Sequence, residues 1–459
     1  MKRPMAPPIQ RELWDRTLAA GDPDRVVRIM SLYSTGIAHD PYLGWEELRH
    51  RQPPEGLTHE EWWLATKIAR QGMQRRLPLR DVDGEQFTYA LPDELLSVTE
   101  FIATYASGNI SLPEVVTNPG TKDRYIVNSL IEEAITSSQL EGAATTRAVA
   151  KDMIRSGRAP RDRSERMILN NYRAMRRIGE LRSEALTLDL IREVHRIVTE
   201  DTLDSPDAAG RFQRPGEERV SVYFSEEILH VPPPAEQLEE RLQLLCDFVN
   251  AQDHGTYLPK VLLALTVHFM IGYEHPFEDG NGRTARALFY WSMLNQGFWL
   301  TEFLSVSRIL KKAPAKYARS FLYTEADDND LTYFFIYQLG VLRRAITELQ
   351  QYLAKKMVEL RAFRASLSGA PDIFNPRQIA VLQHALANPG AAYTVESHKR
   401  SHRTSTETAR KDLTGLEEMG LLRKLKTGKR FTFVSVPHID EKVKGLQAQG
   451  TPGEAGRSV

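Results

Sequence analysis

The sequence predicts a mainly α protein: a helical core carrying one small β-hairpin, then a separate C-terminal module of three helices and a second hairpin. Three observations predict it. Apolar residues recur at helical spacing, for example Ile126, Leu130, Ala134 and Leu140. Between residues 210 and 234 that spacing gives way to two short β-branched or aromatic runs, Val220-Ser221-Val222-Tyr223-Phe224 and Ile228-Leu229-His230-Val231, ended by Pro232-Pro233-Pro234. Ser368-Gly369-Ala370-Pro371 then reads as a linker, and a fresh set of elements follows it.

The 459 residues allow about three domains. Hydrophobic residues at 41% against charged residues at 26% match a chain that buries ordinary cores. The 60 Lys and Arg offset 60 Asp and Glu, which excludes a protein that is basic throughout and coats nucleic acid or anionic membrane. One basic domain remains compatible with that balance. The single cysteine, Cys246, excludes a disulfide framework within the chain and fits a reducing compartment. Its neighbours Leu244, Leu245 and Phe248 predict an inert core thiol. No apolar run follows Met1-Lys2-Arg3-Pro4, and the most apolar stretch, residues 261–273, is too short to span a bilayer. A cytoplasmic protein is expected.

Residues 1–95 read as helical and loop-rich, with no function assigned. Thr58 with Glu61 three positions on predicts a capping box, and Trp62-Trp63 are expected to pack against neighbouring helices. Residues 96–160 carry a helix from 123 to 143 that stops at Gly142. Residues 161–367 hold further helices at 164–178, 188–198 (inner face Leu190, Ile191, Val194 and Ile197), 235–252, 257–273, 281–296 and 331–367. A single hairpin among these helices has few strands to pair with, so it is expected to act as a flap.

The chemistry concentrates in His275-Pro276-Phe277-Glu278-Asp279-Gly280-Asn281-Gly282-Arg283-Thr284-Ala285-Arg286. Pro276 disfavours helix at the residue before it, and Gly280-Asn281-Gly282 make a permissive loop that feeds a new helix. Such a loop points free N–H groups at one spot, with the positive end of the helix dipole behind them. Arg283 and Arg286, three apart, share a face beside it, a combination suited to a polyphosphate. Asp279 is placed to help hold Mg²⁺ together with phosphate oxygens, and His275 is the one group there able to accept a proton near neutral pH. These parts describe phosphoryl or nucleotidyl transfer.

The segment resembles the signature of the Fic family, His-Pro-Phe-x-(Asp/Glu)-Gly-Asn-(Gly/Lys)-Arg-x-x-Arg, matching at every specified position. The likeness covers roughly residues 123–367, including Gly210-Arg211-Phe212-Gln213-Arg214. It implies a helical protein adenylyltransferase that moves AMP from ATP to a Ser, Thr or Tyr hydroxyl of a target protein. Carried over by position, it makes His275 the base, Asp279 the Mg²⁺ ligand, and Gly280, Asn281 and Gly282 the anion hole at the α-phosphate. It makes Arg283 and Arg286 the holders of the outer phosphates, residues 220–231 a flap that docks the target by strand addition, and Tyr317 a neighbour of the adenine. Another nucleotide or a phosphocholine donor stays open, because the anion loop reads phosphates and not the base.

Ser137-Ser138-Gln139-Leu140-Glu141-Gly142 carries a second signal. Ser137 and Glu141 lie on one helical face, and Glu141 is the last long polar side chain before Gly142. A carboxylate entering an arginine-rich site from there is expected to form a bidentate pair. The segment resembles the family's inhibitory motif, (Ser/Thr)-x-x-x-Glu-(Gly/Asn), which implies that Glu141 restrains Arg286 from within the same chain. In some family members the same glutamate also serves AMP removal.

The C-terminal module, residues 372–438, reads as helices beginning at Pro376, near Tyr393 and at Ser405, then a hairpin over residues 424–433 with its turn at Thr427-Gly428. This resembles a winged helix-turn-helix. Lys399, Arg400, Arg403, Arg410, Lys411, Lys424, Lys426, Lys429 and Arg430 would suit phosphate contacts, making DNA a candidate partner and a second copy of the chain another. The alternative function is a DNA-binding transcriptional regulator whose core senses nucleotide with little catalysis. Residues 439–459 are expected to be a flexible tail.

Overall fold

A helix that is apolar on every side has to lie at the centre of its domain. A computed structural model describes residues 3–32, 36, 40–107, 119–224, 227–368, 373–387, 391–427 and 430–449, and it places the apolar run there. In the helix Lys260–Glu274 every residue except Lys260 and Gly272 is buried. The helix Asn281–Asn295, buried except at Gly282 and Asn295, packs against it as the second half of a central pair. Helices Arg163–Glu180 and Leu188–Thr199 pack on that pair. Asp162 and Thr187 cap them, each accepting a hydrogen bond from the backbone N–H three residues on. Leu190, Ile191, Val194 and Val198 face the core; Ile197, expected there, is only half-buried because the stripe drifts to Val198.

The described residues divide into two compact units: the N-terminal segment with residues 126–348, and chiefly the chain from residue 349 onward. Residues 3–107 fall in the first of these units, together with residues 126–348. Helices Gln10–Ala19, Pro23–Ser31 and His59–Gln71 bury Trp62 and Trp63 among Leu13, Ile29, Leu48 and Leu64. The capping box at Thr58 and Glu61 is formed. A hairpin that the helical reading missed, Arg75–Arg80 with Gln86–Tyr89, follows. It alternates Leu77 and Leu79 with Phe87 and Tyr89 on its buried side, but Pro78 and the arginines obscure that alternation in the sequence. Phe87 meets Phe269 and Tyr273 edge-to-face on the central helix.

The expected hairpin forms but is shorter than read from the sequence: Val222–Phe224 pairs antiparallel with Glu227–His230, while residues 225–226 lie outside the described residues. His230 anchors it, bonding Glu325 through Nδ1 at 2.8 Å and the Tyr273 carbonyl through Nε2 at 2.7 Å. Cys246 is buried in the helix Leu238–Asn250, and burial pushes its thiol up to about 12, so it stays protonated. Leu244, read as part of that buried surround, is exposed instead.

The second unit holds helices Pro376–Ala387, Val395–His402 and Thr406–Glu418. Its sheet has three strands, with Arg430–Ser435 between Ala392–Tyr393 and Leu422–Thr427. Tyr393 thus belongs to a strand and not to the second helix, which Thr394 caps. The expected flexible tail is corrected over residues 439–449. They form a helix, Ile439–Gln449, whose Ile439 and Val443 are buried with Leu413, Leu416 and Phe433. The linker at 369–371, the turn residue Gly428, Lys429 and residues 450–459 lie outside the described residues. Of the basic residues, Arg400, Arg403, Arg410, Lys411, Lys424 and Lys426 are exposed, and Lys399 and Arg400 sit on the second helix. Among the described residues no helix is long and apolar enough to cross a membrane.

Candidate active site

The helix Lys260–Glu274 stops because His275 turns into the left-handed region, at φ 43°, ahead of Pro276. The loop that follows is clamped from inside. Asn281 accepts from the Phe277 N–H at 2.9 Å and donates to the Phe277 carbonyl at 2.8 Å. Its side chain is therefore occupied in shaping the loop. Gly280 has φ 83°, and a Cβ there would meet the Thr199 methyl at 2.5 Å, so only glycine fits. The helix Asn281–Asn295 begins at once, so its first N–H groups have no partner within the helix.

Both signature arginines are buried beside this nest. Arg283 donates through Nη1 to the Val198 carbonyl at 2.8 Å, and its Nε is buried without a hydrogen-bond partner. Burial holds its pKa below the ordinary arginine value. Arg286 gives Nε to Ser137 Oγ at 2.9 Å, and Nη2 to the Ser137 carbonyl at 3.0 Å and Glu141 Oε1 at 2.9 Å. Burial works against its charge, but Glu141 outweighs it and raises the pKa. The expected bidentate pair is thus a single charge-assisted bond, because Ser137 takes Nε and the second donor of Nη2.

Glu141 does more than meet Arg286. A Cβ added at Gly282 would lie 2.3 Å from its Oε1, so the carboxylate rests directly over the start of the nest. Gly142, at φ 90°, ends the helix Pro119–Leu140 just behind it. Glu133, one to two turns back, holds that helix in place by accepting from the Ser307 N–H and Ser305 Oγ, each at 3.0 Å, and from Ser307 Oγ.

His275 donates Nδ1–H to the Val220 carbonyl of the flap at 3.1 Å, which leaves Nε2 as the basic nitrogen. Burial, then the charge of His230, push its pKa down to about 4, so the ring is neutral at physiological pH. Asp279 is half-exposed at the loop mouth. Its Oδ1 accepts from the Gly280 N–H at 2.5 Å, and its Oδ2 lies 3.5 Å from Arg283 and 3.7 Å from Arg163. Tyr317, expected near an adenine, bonds its hydroxyl to His268 Nε2 at 2.8 Å within a cluster of Phe289, Phe321 and Phe334.

Sequence reasoning missed several residues. Arg219 donates to the carbonyls of Pro233 at 2.8 Å, Glu274 at 2.6 Å and His275 at 3.2 Å, tying the flap base to the helix end. The Gln213 N–H donates to the Pro276 carbonyl at 2.9 Å, which gives the segment after Gly210 its place. His195 was legible in principle: it falls four residues after Ile191, a polar group on an apolar face.

His275, the Gly280–Gly282 loop and two buried guanidiniums thus lie together on one helix–loop–helix. Residues 185–293 match the sequence model of the Fic/DOC family, and the chain carries a Fic/DOC-family domain. The protein adenylyltransferase Fic of Nematostella vectensis is 27% identical over 229 residues, which are 49% of this chain and 48% of that protein. Protein adenylyltransferase fic-1 of Caenorhabditis elegans is 32% identical over 115 residues, 25% of this chain and 20% of that protein. The chain thus spans at most about half the length of these curated relatives. The crystal structure of a Fic family protein from Desulfovibrio desulfuricans G20 shares the fold, with a TM-score of 0.50 at 18% identity, covering 76% of this chain and 98% of that one.

Proposed function

We propose that this protein is an adenylyltransferase that moves AMP from ATP to a Ser, Thr or Tyr hydroxyl of a target protein and is restrained by Glu141. The observation that carries the reading is the place of the Glu141 carboxylate. It bonds Arg286 and rests over Gly282, and its charge is felt by both His275 and Arg283. A carboxylate there stands where the base, the nest and both arginines converge, which is the spot an anionic triphosphate would need.

The hydroxyl proton passes to Nε2 of His275 while Nδ1–H stays on Val220. The hydroxyl oxygen forms a bond to the α-phosphorus as the bond to pyrophosphate breaks. The amides of Gly280, Asn281 and Gly282 stabilise the charge on the α-phosphate. The unpartnered Arg283 Nε and an Arg286 released from Glu141 steady the leaving group. Flap residues 220–231 would align the target, with Tyr223 and Val231 exposed.

Mg²⁺ fits this site only together with phosphate. Asp279 is one half-exposed carboxylate, and no cluster of three or more acidic, His or Cys ligands exists among the described residues. Asp279 would hold the ion, which when bound neutralises phosphate charge. A role for Tyr317 at the adenine, AMP removal by the same site, and DNA contact by a winged-helix module with an exposed basic face belong to the same proposal. So does a cytoplasmic setting.

Incubation with radiolabelled ATP and Mg²⁺ tests it. Glu141→Gly should raise labelling at least tenfold over the wild type, and adding His275→Ala should abolish it. Equal labelling of the wild type and Glu141→Gly would remove the restraint from the reading, and no labelling of either would remove the activity. For the basic face, a gel shift weakening steeply with salt is expected, and salt-independent or absent binding would contradict it.

A further inference from the structure

We propose that His195 is a positioning residue for nucleotide transfer: its Nε2–H holds the Asp279 carbonyl away from the site and thereby aims the Gly280 amide at the phosphate. The inference deepens the proposed transfer reaction and rests on that reading.

His195 is fully buried, and both ring nitrogens are engaged. The Gly210 N–H, which can only donate, points at Nδ1 at 2.8 Å, so Nδ1 is the acceptor. The proton of the neutral ring is therefore on Nε2, which faces the Asp279 carbonyl at 2.8 Å. The tautomer follows from the two partners and needs no further assumption.

The peptide between Asp279 and Gly280 is planar and trans, so its C=O and N–H point in opposite directions. With the carbonyl fixed on His195, the Gly280 N–H must point away from that ring. There it already donates to an anionic oxygen, Asp279 Oδ1, at 2.5 Å. The reversed peptide would put a carbonyl oxygen against the phosphate, and repulsion would replace a charge-assisted hydrogen bond. The ring also lies flat on Phe277, with centroids 3.6 Å apart and planes 1° apart, so its tilt is fixed along with its protons. The Thr199 methyl and His195 Nε2 close on Gly280 from the same side. One imidazole thus joins three separate segments, the helix Leu188–Thr199, the turn at Gly210 and the signature loop.

The test uses the full-length protein in the Glu141→Gly background, measuring kcat and KM for ATP. Glutamine places its Nε2 where the imidazole Nε2 lies and can still donate to Asp279, whereas asparagine reproduces only the acceptor facing Gly210. Leucine fills the space and does neither. His195→Leu and His195→Asn should each lower kcat about tenfold or more, with a smaller change in KM, and His195→Gln should recover it to within about threefold. Equal effects of Asn and Gln, or a leucine variant with unchanged kcat, would overturn the proposal. If the leucine variant does not fold, the Asn-against-Gln comparison decides alone. Failure of Glu141→Gly itself to transfer AMP would instead strike the parent reading.

Discussion

Three imidazoles set the pH response at the scale of single residues. Burial, their largest influence, pushes His195, His268 and His275 down to about 4, 3 and 4. In the unfolded chain each titrates near 6.5. Between those values the unfolded chain binds more protons, so their contribution to stability is complete above about 6.5 and is lost as pH falls toward 4. His230 works the other way. Burial opposes its charge, but Glu325 raises its pKa above the ordinary value, so its share is present at low pH and fades as pH rises. Three groups outweigh one, and the melting temperature should fall between pH 7 and pH 5; a flat or rising trend in thermal melts would contradict the burial argument. By the same logic the base His275 is already unprotonated at pH 6. The transfer rate of Glu141→Gly should therefore stay level from about pH 8 to 5.5, and an acid limb centred near 6.5 would show that His275 is not desolvated as described.

At the scale of elements, the C-terminal part of the helix Pro119–Leu140 has two separate anchors. Its tip engages Arg286 through Ser137 and Glu141. Removing the Ser137 hydroxyl leaves Arg286 with the Ser137 carbonyl and Glu141, so Ser137→Ala should activate labelling, but less than Glu141→Gly. Activation equal to that of Glu141→Gly would mean that the serine, and not the carboxylate, carries the restraint. Further back, Glu133 accepts from two Ser307 groups and from Ser305. Glu133→Ala orphans those buried donors at about 1–3 kcal/mol each. It should lower the denaturation midpoint and also raise basal labelling, because a loosened helix withdraws Glu141 more often. A destabilised variant with unchanged labelling would separate the anchor from the restraint.

Across the whole molecule, the N-terminal segment is bound into the same unit as residues 126–348 by burial and by buried polar contacts. Trp63 is fully buried in its helical cluster. Arg70 lies over the Tyr42 ring at 3.6 Å and donates to Tyr333 at 2.6 Å, and Lys67 pairs with Asp327 at 2.7 Å. Trp63→Ala should cost about 3–5 kcal/mol. Because segment and core share one unit, chemical unfolding should show a single transition for that unit moved to lower denaturant. A separate early transition, leaving the rest unshifted, would show that residues 3–72 fold independently.

The signature was readable because its geometry is local. A proline after His275, a positive-φ glycine at 280 and two arginines three apart on a helix are fixed by neighbours a few residues away, so the pattern specifies the loop, the amides and the guanidinium face. The C-terminal hairpin, the hairpin around residues 222–230 and the capping box at Thr58 were legible for the same reason. What the sequence could not specify are contacts whose partners lie far apart along the chain. His195 meets the Asp279 carbonyl across 84 positions, and His275 meets the Val220 carbonyl across 55; the Arg286–Glu141 contact, across 145, was implied only by the likeness of residues 137–142 to the inhibitory motif. The hairpin Arg75–Arg80 with Gln86–Tyr89 becomes a strand pair by burying Phe87 on the central helix, and Ile439–Gln449 becomes a helix by burying Ile439 and Val443. The chain by itself determined which candidate groups the signature brings together and how the loop bends. The tertiary structure decided which tautomer His195 holds, where the Glu141 carboxylate rests and how far His275 is desolvated, because proton placement and burial depend on every element packed around a group and not on its neighbours in sequence.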